Sequence, residues 1–502
     1  MAENDLEARH LETLDRDLGR FSTLESAASY AARPLVAPGI ALVFIVLAGL
    51  GAALFFGQTN HTLIVVVAAA FGAYMALNIG ANDVANNMGP AVGANALTMT
   101  GAIVIAAIFE TGGALIAGGD VVSTISKGIV TPDSMANTTI FVWAMMAALL
   151  SSALWVNLAT WIGAPVSTTH SVVGGVMGAG IASAGVAAVN WPVMGTIAAS
   201  WVISPLLGGL IAAAFLWFIK SRIIFQEDKI AAARRWVPML VGIMAGAFAA
   251  YLALKGLKHL VKISFGTALL IGLGAGLLTW FAMIPVIRRQ SEGLENRNKS
   301  LKVLFGVPLV ISAALLSFAH GANDVANAVG PLAAIVQATK SGGMADAVSI
   351  PLWVMLIGAF GISFGLFLFG PKLIRMVGSQ ITKLNPMRAY CVALSAAITV
   401  IIASWLGLPV SSTHIAVGAV FGVGFFREWY TEKSSRRADY VARHKINTDG
   451  EEANNGRLAE QRRRKLVRRS HFLQIIAAWV ITVPAAAVLS GVLFVVLRAA
   501  LV

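Results

Sequence analysis

Two short stretches set carboxylate and amide side chains inside apolar sequence. Residues 80–90 read GANDVANNMGP and residues 321–331 read GANDVANAVGP, so Asn82, Asp83 and Asn86 recur as Asn323, Asp324 and Asn327. Spacings of three and four residues put the members of each set on one side of a helix. An Asp at the centre of a membrane-crossing helix costs about 2.5–3.5 kcal/mol on insertion scales, and such residues mark ion or substrate paths. The flanking Gly80, Gly89 and Pro90, and Gly321, Gly330 and Pro331, are expected to end or kink the helix and free backbone carbonyls. Carboxylate, amide and carbonyl oxygens are hard ligands, suited to Na+ as a metal at Asp83 and Asp324, or to a titrating proton there. The bland alternative, that Asp and Asn only cap broken helices, suits one such motif better than two matching ones.

A second pair of motifs points to an anion. Residues 163–170 read GAPVSTTH and residues 407–414 read GLPVSSTH. Pro165 and Pro409 stop the preceding helix, and the Ser or Thr that follows suits an N-cap. A helix start offers unpaired N–H groups and the positive end of the dipole. Ser167, Thr168 and Thr169, with Ser411, Ser412 and Thr413, add O–H donors without a fixed positive charge, which suits an oxyanion that must also leave. One hydroxyl of each trio must cap, so the anion reading concerns the other two. His170 and His414 are read first as buried imidazoles bonding carbonyls, and second as substrate contacts. Ser and His at this spacing form no catalytic triad without a third member, and no enzymatic activity is expected. Glu110, in IFETGG, is a further acid deep in an apolar run and a transport candidate by default. Asn95 and Asn157 read as hydrogen-bond links between helices.

Such residues need a membrane scaffold, and the composition supplies one. Of 502 residues, 57% are hydrophobic and 12% charged, against roughly half and a quarter in soluble domains. That excludes an ordinary soluble enzyme, a disordered chain and a disulfide-stapled secreted domain; the single Cys391 allows no internal disulfide. The net charge of +13 sits in loops: residues 427–470 hold 13 Lys/Arg against 7 Asp/Glu. This reads as a cytoplasmic loop near anionic headgroups, not as a nucleic-acid site. Residues 1–37 carry seven acids and four arginines, unlike a signal peptide, and Leu11, Leu14, Leu18 and Phe21 predict a short amphipathic helix.

Apolar segments long enough to span a bilayer predict an all-α polytopic protein with 12–13 crossings in the plasma (inner) membrane. The expected organisation is a cytoplasmic tail (1–37), an extra helix (38–57), a first transport repeat (62–189), connecting helices (193–287), a second repeat (303–427), a basic loop (428–470) and a C-terminal helix (472–497). The paired motifs recur at offsets of 241 and 244 residues, so the chain is a duplication. Placing the basic loops 220–236, 288–302, 371–388 and 427–470 in the cytoplasm makes the copies opposite in orientation. Inverted repeats with discontinuous or re-entrant helices build many secondary transporters.

At these motifs the sequence resembles the inorganic phosphate transporter (PiT) family of sodium- or proton-coupled symporters. The resemblance covers residues 62–427 and the final helix. It implies phosphate between the two hydroxyl-rich helix starts, at Ser167, Thr168, Thr169, Ser411, Ser412 and Thr413. It implies cations beside the signature residues Asn82, Asp83, Asn86, Asn323, Asp324 and Asn327, and it matches Glu110 to an acid that follows the first signature. Some members carry another glutamate before the second PVSTTH, where this chain has Ala393. The expected function is phosphate import coupled to Na+ or H+ by alternating access, without a bound cofactor and with a possible homo-oligomer. A sulfate or other oxyanion symporter is the alternative, and a passive anion channel ranks below it, because buried carboxylates beside an anion site are costly unless they bind cations.

Overall fold

In hydrocarbon every backbone N–H and C=O must pair within the chain, so the apolar runs become helices. The computed structural model describes residues 35–130, 135–163, 166–256, 263–341, 350–376, 384–434 and 469–501. The amphipathic segment expected in the tail and most of the basic loop 428–470 lie outside the described residues. The helices are α1 (Leu35–Phe56), α2 (Thr62–Asn82), α3 (Val84–Gly93), α4 (Met99–Ala117), α5 (Gly119–Ser123), α6 (Thr138–Ile162), α7 (Thr168–Ala184) and α8 (Trp191–Ile219). They continue with α9 (Lys229–Lys255), α10 (Phe265–Gln290), α11 (Asn298–Leu304), α12 (Gly306–Ser341), α13 (Leu352–Met376), α14 (Pro386–Trp405), α15 (Ser412–Lys433) and α16 (Arg469–Leu501). No strand occurs among the described residues, only one isolated bridge between Val130 and Val189. Thr98, Asn137, Asn190, Asp228, Ser264 and Asn385 cap helix starts, each accepting the N–H three residues on.

Among the described residues, eleven segments are long and apolar enough to cross a membrane. The two remaining expected crossings are the Gly-rich α7 and α15, which follow breaks in the chain. Those breaks, between α6 and α7 and between α14 and α15, open at Gly163 (φ 75°) and Gly407 (φ 67°), in the left-handed region that glycine tolerates. The discontinuities therefore lie at the hydroxyl motifs.

At the acidic motifs the expectation that glycine and proline would break the helix holds only in part. Asp83 is the only residue between α2 and α3 and keeps right-handed helical angles, while α12 runs 36 residues without interruption. The glycines serve close approach instead. A Cβ at Gly80 would collide with the Ile362 carbonyl, and one at Gly321 with the Glu110 carbonyl. Proline does free carbonyls: Pro90 and Pro331 lie inside their helices and have no N–H, so the Asn86 and Asn327 carbonyls lack the usual helical partner.

These two crossings are reciprocal: α2 packs on α13 as α12 packs on α4. The pattern recurs outward, where α16 packs on α7 as α8 packs on α15. There Gly178 meets the Ala487 backbone and Gly422 meets the Gly209 backbone. When residue i of one copy meets j of the other and the converse also holds, a two-fold relates them. Helices α9 and α10 pair with each other beside this dyad. At the centre α12 places Asp324 midway along a helix about 54 Å long, well over the roughly 30 Å of hydrocarbon.

Gly80→Ala and Gly321→Ala should each destabilise the bundle by about 1–3 kcal/mol through overpacking. Gly274→Ala, whose Cβ would meet nothing within 4 Å, should be neutral. Thermal unfolding of the three variants in detergent checks this; equal midpoints would remove the close crossings as a constraint.

Candidate functional site

The middle of α12 and the α2–α3 junction face the starts of α7 and α15. Ser167 and Ser411 take the capping role, their Oγ atoms accepting from the backbone N–H of His170 (3.1 Å) and His414 (3.3 Å). The neighbouring hydroxyls are thereby held toward the carboxylates. Thr168 donates to Asp83 Oδ2 at 2.6 Å, and Thr413, from the other copy, donates to Asp83 Oδ1 at 3.1 Å. Ser412 donates to Asp324 Oδ2 at 3.3 Å. The amides cross between copies in the same way. Asn86 Nδ2 donates to Thr413 Oγ1 at 2.9 Å, and Asn327 Nδ2 donates to the Oγ1 atoms of Thr168 and Thr169 at 3.3 and 3.1 Å. Thr169 spends its proton on the Val410 carbonyl at 3.0 Å, a group exposed by the break before α15. All these side chains are buried.

Not every predicted residue joins this cluster. Asn82 Nδ2 donates to Thr160 Oγ1 at 2.8 Å, and Asn323 Nδ2 donates to Ser404 Oγ at 3.0 Å. Asn323 also donates to the Leu408 carbonyl and accepts from Val410 N–H, so its amide is engaged at both ends. These two asparagines tie the signature helices to the ends of α6 and α14. His170 and His414 stack edge to face with ring centroids 4.3 Å apart, one turn behind the hydroxyls, and Trp201 covers His170 at 3.8 Å. Asn157 links helices as expected, donating to Asn78 Oδ1 at 3.1 Å. Asn95 does not: with φ 57° it forms the left-handed exit from α3.

Glu110 reaches the cluster through a residue the sequence reading passed over. His320 Nδ1 lies 2.6 Å from Glu110 Oε2, and its Nε2 lies 2.9 Å from Asp324 Oδ2. Asn87 Nδ2 donates to Glu110 Oε1 at 2.9 Å. The Nδ1 contact with Glu110 is a hydrogen bond, whereas Nε2 makes none and faces Asp324 as a close contact. The signal was present as an asymmetry. The first copy has Ile79 where the second has His320, and the second has Ala328 where the first has Asn87. One copy supplies the acid and its amide, the other the imidazole.

Asp83, His320 and Asp324 each offer a ligand atom, all within 4.8 Å of one another and all buried. Together with the hydroxyls this arrangement can take a cation or a proton, and it can present O–H donors to an anion beside it.

His320→Ala would leave two buried carboxylates without their shared partner, a loss of about 3–5 kcal/mol. The thermal midpoint in detergent should fall, and adding Glu110→Gln should recover part of the loss by removing one stranded charge. No recovery in the double variant would show that the bridge is not the coupling between them.

Comparison with known proteins agrees with this picture. The profile of a family described as "Phosphate transporter family" matches residues 79–490. A protein of Helicobacter pylori strain J99 named "Putative phosphate permease" is 49% identical, covering 91% of this chain and 94% of its own. One from Pyrococcus furiosus with a similar name is 34% identical over 86% of this chain and 95% of its own. A solved structure titled "The sodium-dependent phosphate transporter" superposes with a TM-score of 0.75 at 33% identity, covering 87% of this chain and all of the other.

Proposed function

The chain belongs to the phosphate transporter family, a multi-pass membrane protein and secondary active phosphate symporter, and we propose that Asp83 and Asp324 carry its coupling cation while the hydroxyls of Thr168, Ser412 and Thr413 bind phosphate. One observation carries this reading: the same hydroxyls that crown the two helix starts are hydrogen-bonded to the signature carboxylates. A hydroxyl has one proton to donate. While Thr168 and Thr413 give theirs to Asp83, they cannot give them to phosphate. A cation on the carboxylate replaces those hydrogen bonds and releases the donors. It also removes repulsion, since two unit charges about 5 Å apart interact by roughly 3 kcal/mol even at an effective dielectric of 20. Cation and phosphate then raise each other's affinity by the same factor.

Na+ is the favoured ion. Asp83, Asp324 and the hydroxyl oxygens around them offer more hard ligands than a proton needs, and the solved relative at 33% identity is titled sodium-dependent. A second reading, H+ coupling, rests on the Glu110–His320–Asp324 bridge, which lines up three titratable groups through contacts of 2.6 and 2.9 Å. Import, with phosphate rather than sulfate as cargo, completes the proposal.

Uptake of labelled phosphate into proteoliposomes under separately imposed Na+ and H+ gradients tests it, with sulfate as competitor. Phosphate affinity should rise with Na+ at fixed pH and ionic strength, and Asp83→Asn and Asp324→Asn should each abolish gradient-driven uptake. Affinity that follows falling pH and ignores Na+ would move the assignment to the proton. Uptake indifferent to both gradients would end the symport proposal.

Thr168→Ala and Ser412→Ala should each weaken phosphate binding by about 1.5–3 kcal/mol, roughly ten- to a hundredfold, as expected for a lost hydrogen bond to a charged ligand. Binding measured at saturating Na+ checks this. Unchanged affinity in both would take these hydroxyls out of the phosphate site.

A further inference from the structure

A cavity of about 550 Å³ lies between α1, α2, α6 and α13, apart from the buried cluster. Tyr74, Asn78, Asn157, Thr160 and Lys372 give its lining polar groups, and among the described residues no carboxylate faces it. Asn157 is exposed although it lies in a membrane-crossing helix, and Thr160 beside it is half-buried. Polar side chains at that depth face a protein interior or a water-filled space, because contact with lipid tails is costly. Helix α1 provides the screen: Ala41 and Ile45 close the cavity from that side. The volume holds a phosphate ion with several waters, at roughly 30 Å³ per water. Its inner wall touches the functional cluster, since Thr160 accepts the hydrogen bond of Asn82, the residue before Asp83.

The two-fold makes this cavity diagnostic. The counterparts of Tyr74, Asn78 and Thr160 in the second copy are Leu315, Ala319 and Ser404, all buried. There the space is filled from α9. Phe248 and Tyr251 pack edge to face on Phe318, the counterpart of Leu77, with ring centroids 5.0 and 6.4 Å away. Lys255 ties the end of α9 to Asp120 and to the Trp405 carbonyl. One end of the dyad is open and the other is plugged.

We propose that the cavity beside α1 is an aqueous vestibule that carries phosphate between the central site and the membrane face at which α13 ends. This rests on the proposed phosphate site, whose hydroxyls begin just past Gly163 on the same wall. Thr160 gives its proton to the Val156 carbonyl, but Asn78 and Asn157 each keep a second amide N–H. These with Lys372, no acid being among the described lining residues, suit an anion in transit. The helix α1, which precedes the family-matched region 79–490, thereby becomes part of the transport path.

The test uses single cysteines in the full chain, with the buried Cys391 left in place. Asn157→Cys and Ala41→Cys sample two walls of the vestibule, and Leu278→Cys, 74% exposed on α10, samples the lipid face. A charged, membrane-impermeant methanethiosulfonate reagent should modify both vestibule cysteines from the α13-end face and leave Leu278→Cys unreacted. Inorganic phosphate at about ten times its Kd should slow both reactions roughly tenfold. Reactivity no greater than that of Leu278→Cys, reaction only from the opposite face, or rates indifferent to phosphate would each overturn the proposal. Labelled phosphate uptake by the unmodified protein in the same vesicles separates the two readings. Uptake without vestibule labelling sinks the vestibule alone, whereas absent uptake sinks the assigned cargo.

Discussion

Asp83 accepts a hydroxyl proton from each copy of the duplication, and the rest of the site depends on that shared carboxylate. In a low-dielectric interior an unpaired acid is expensive and a paired one is firmly held. Capping by Ser167 and Ser411 fixes where Thr168 and Thr413 can point. The close crossings at Gly80 and Gly321 fix where the signature helices sit relative to those starts. Movement of either copy must stretch or exchange the Asp83 bonds, so the partners of Asp83 and the relative position of the copies are tied through one side chain.

The duplication is symmetric in its backbone packing and asymmetric in its charges. Glu110 and Asn87 come from one copy, His320 from the other, and each of their counterparts is apolar: Ile362, Ala328 and Ile79. A pair of identical halves would give two equal ion sites. Here one flank of the cluster holds an acid–imidazole–acid chain, hydrogen-bonded at its Glu110 end, and the other does not. The same inequality appears at the two ends of the dyad, where α9 fills what α1 leaves open.

Much of this was legible in the sequence because it depends on local order. Ser or Thr after proline predicts a capped helix start, and a repeated Asp in apolar sequence predicts a buried polar site; both hold at Ser167, Ser411, Asp83 and Asp324. The glycines of GANDVAN were misread as breaks. A sequence displays the permissiveness of glycine but not the carbonyl that passes over it, and at Gly80 and Gly321 that carbonyl belongs to a distant helix. The pairing of Thr413 with Asp83 spans 330 residues and was invisible for the same reason. His320 escaped notice because it precedes its motif and has no counterpart in the first copy.

The uninterrupted α12 has an electrical meaning. Its middle residues, Asn323 and Asp324, lie about equally far from both helix ends, so the site sits near the centre of the field across the membrane. A unit charge crossing the whole field at 100 mV changes energy by about 2.3 kcal/mol, and one that stops halfway changes by roughly half of that. Cations approaching from the positive side are drawn toward Asp324 by this amount, and anions are opposed by it for every charge they carry. Depth alone makes the energy of a charge there respond to membrane potential, and a helix uninterrupted through its middle holds that depth constant.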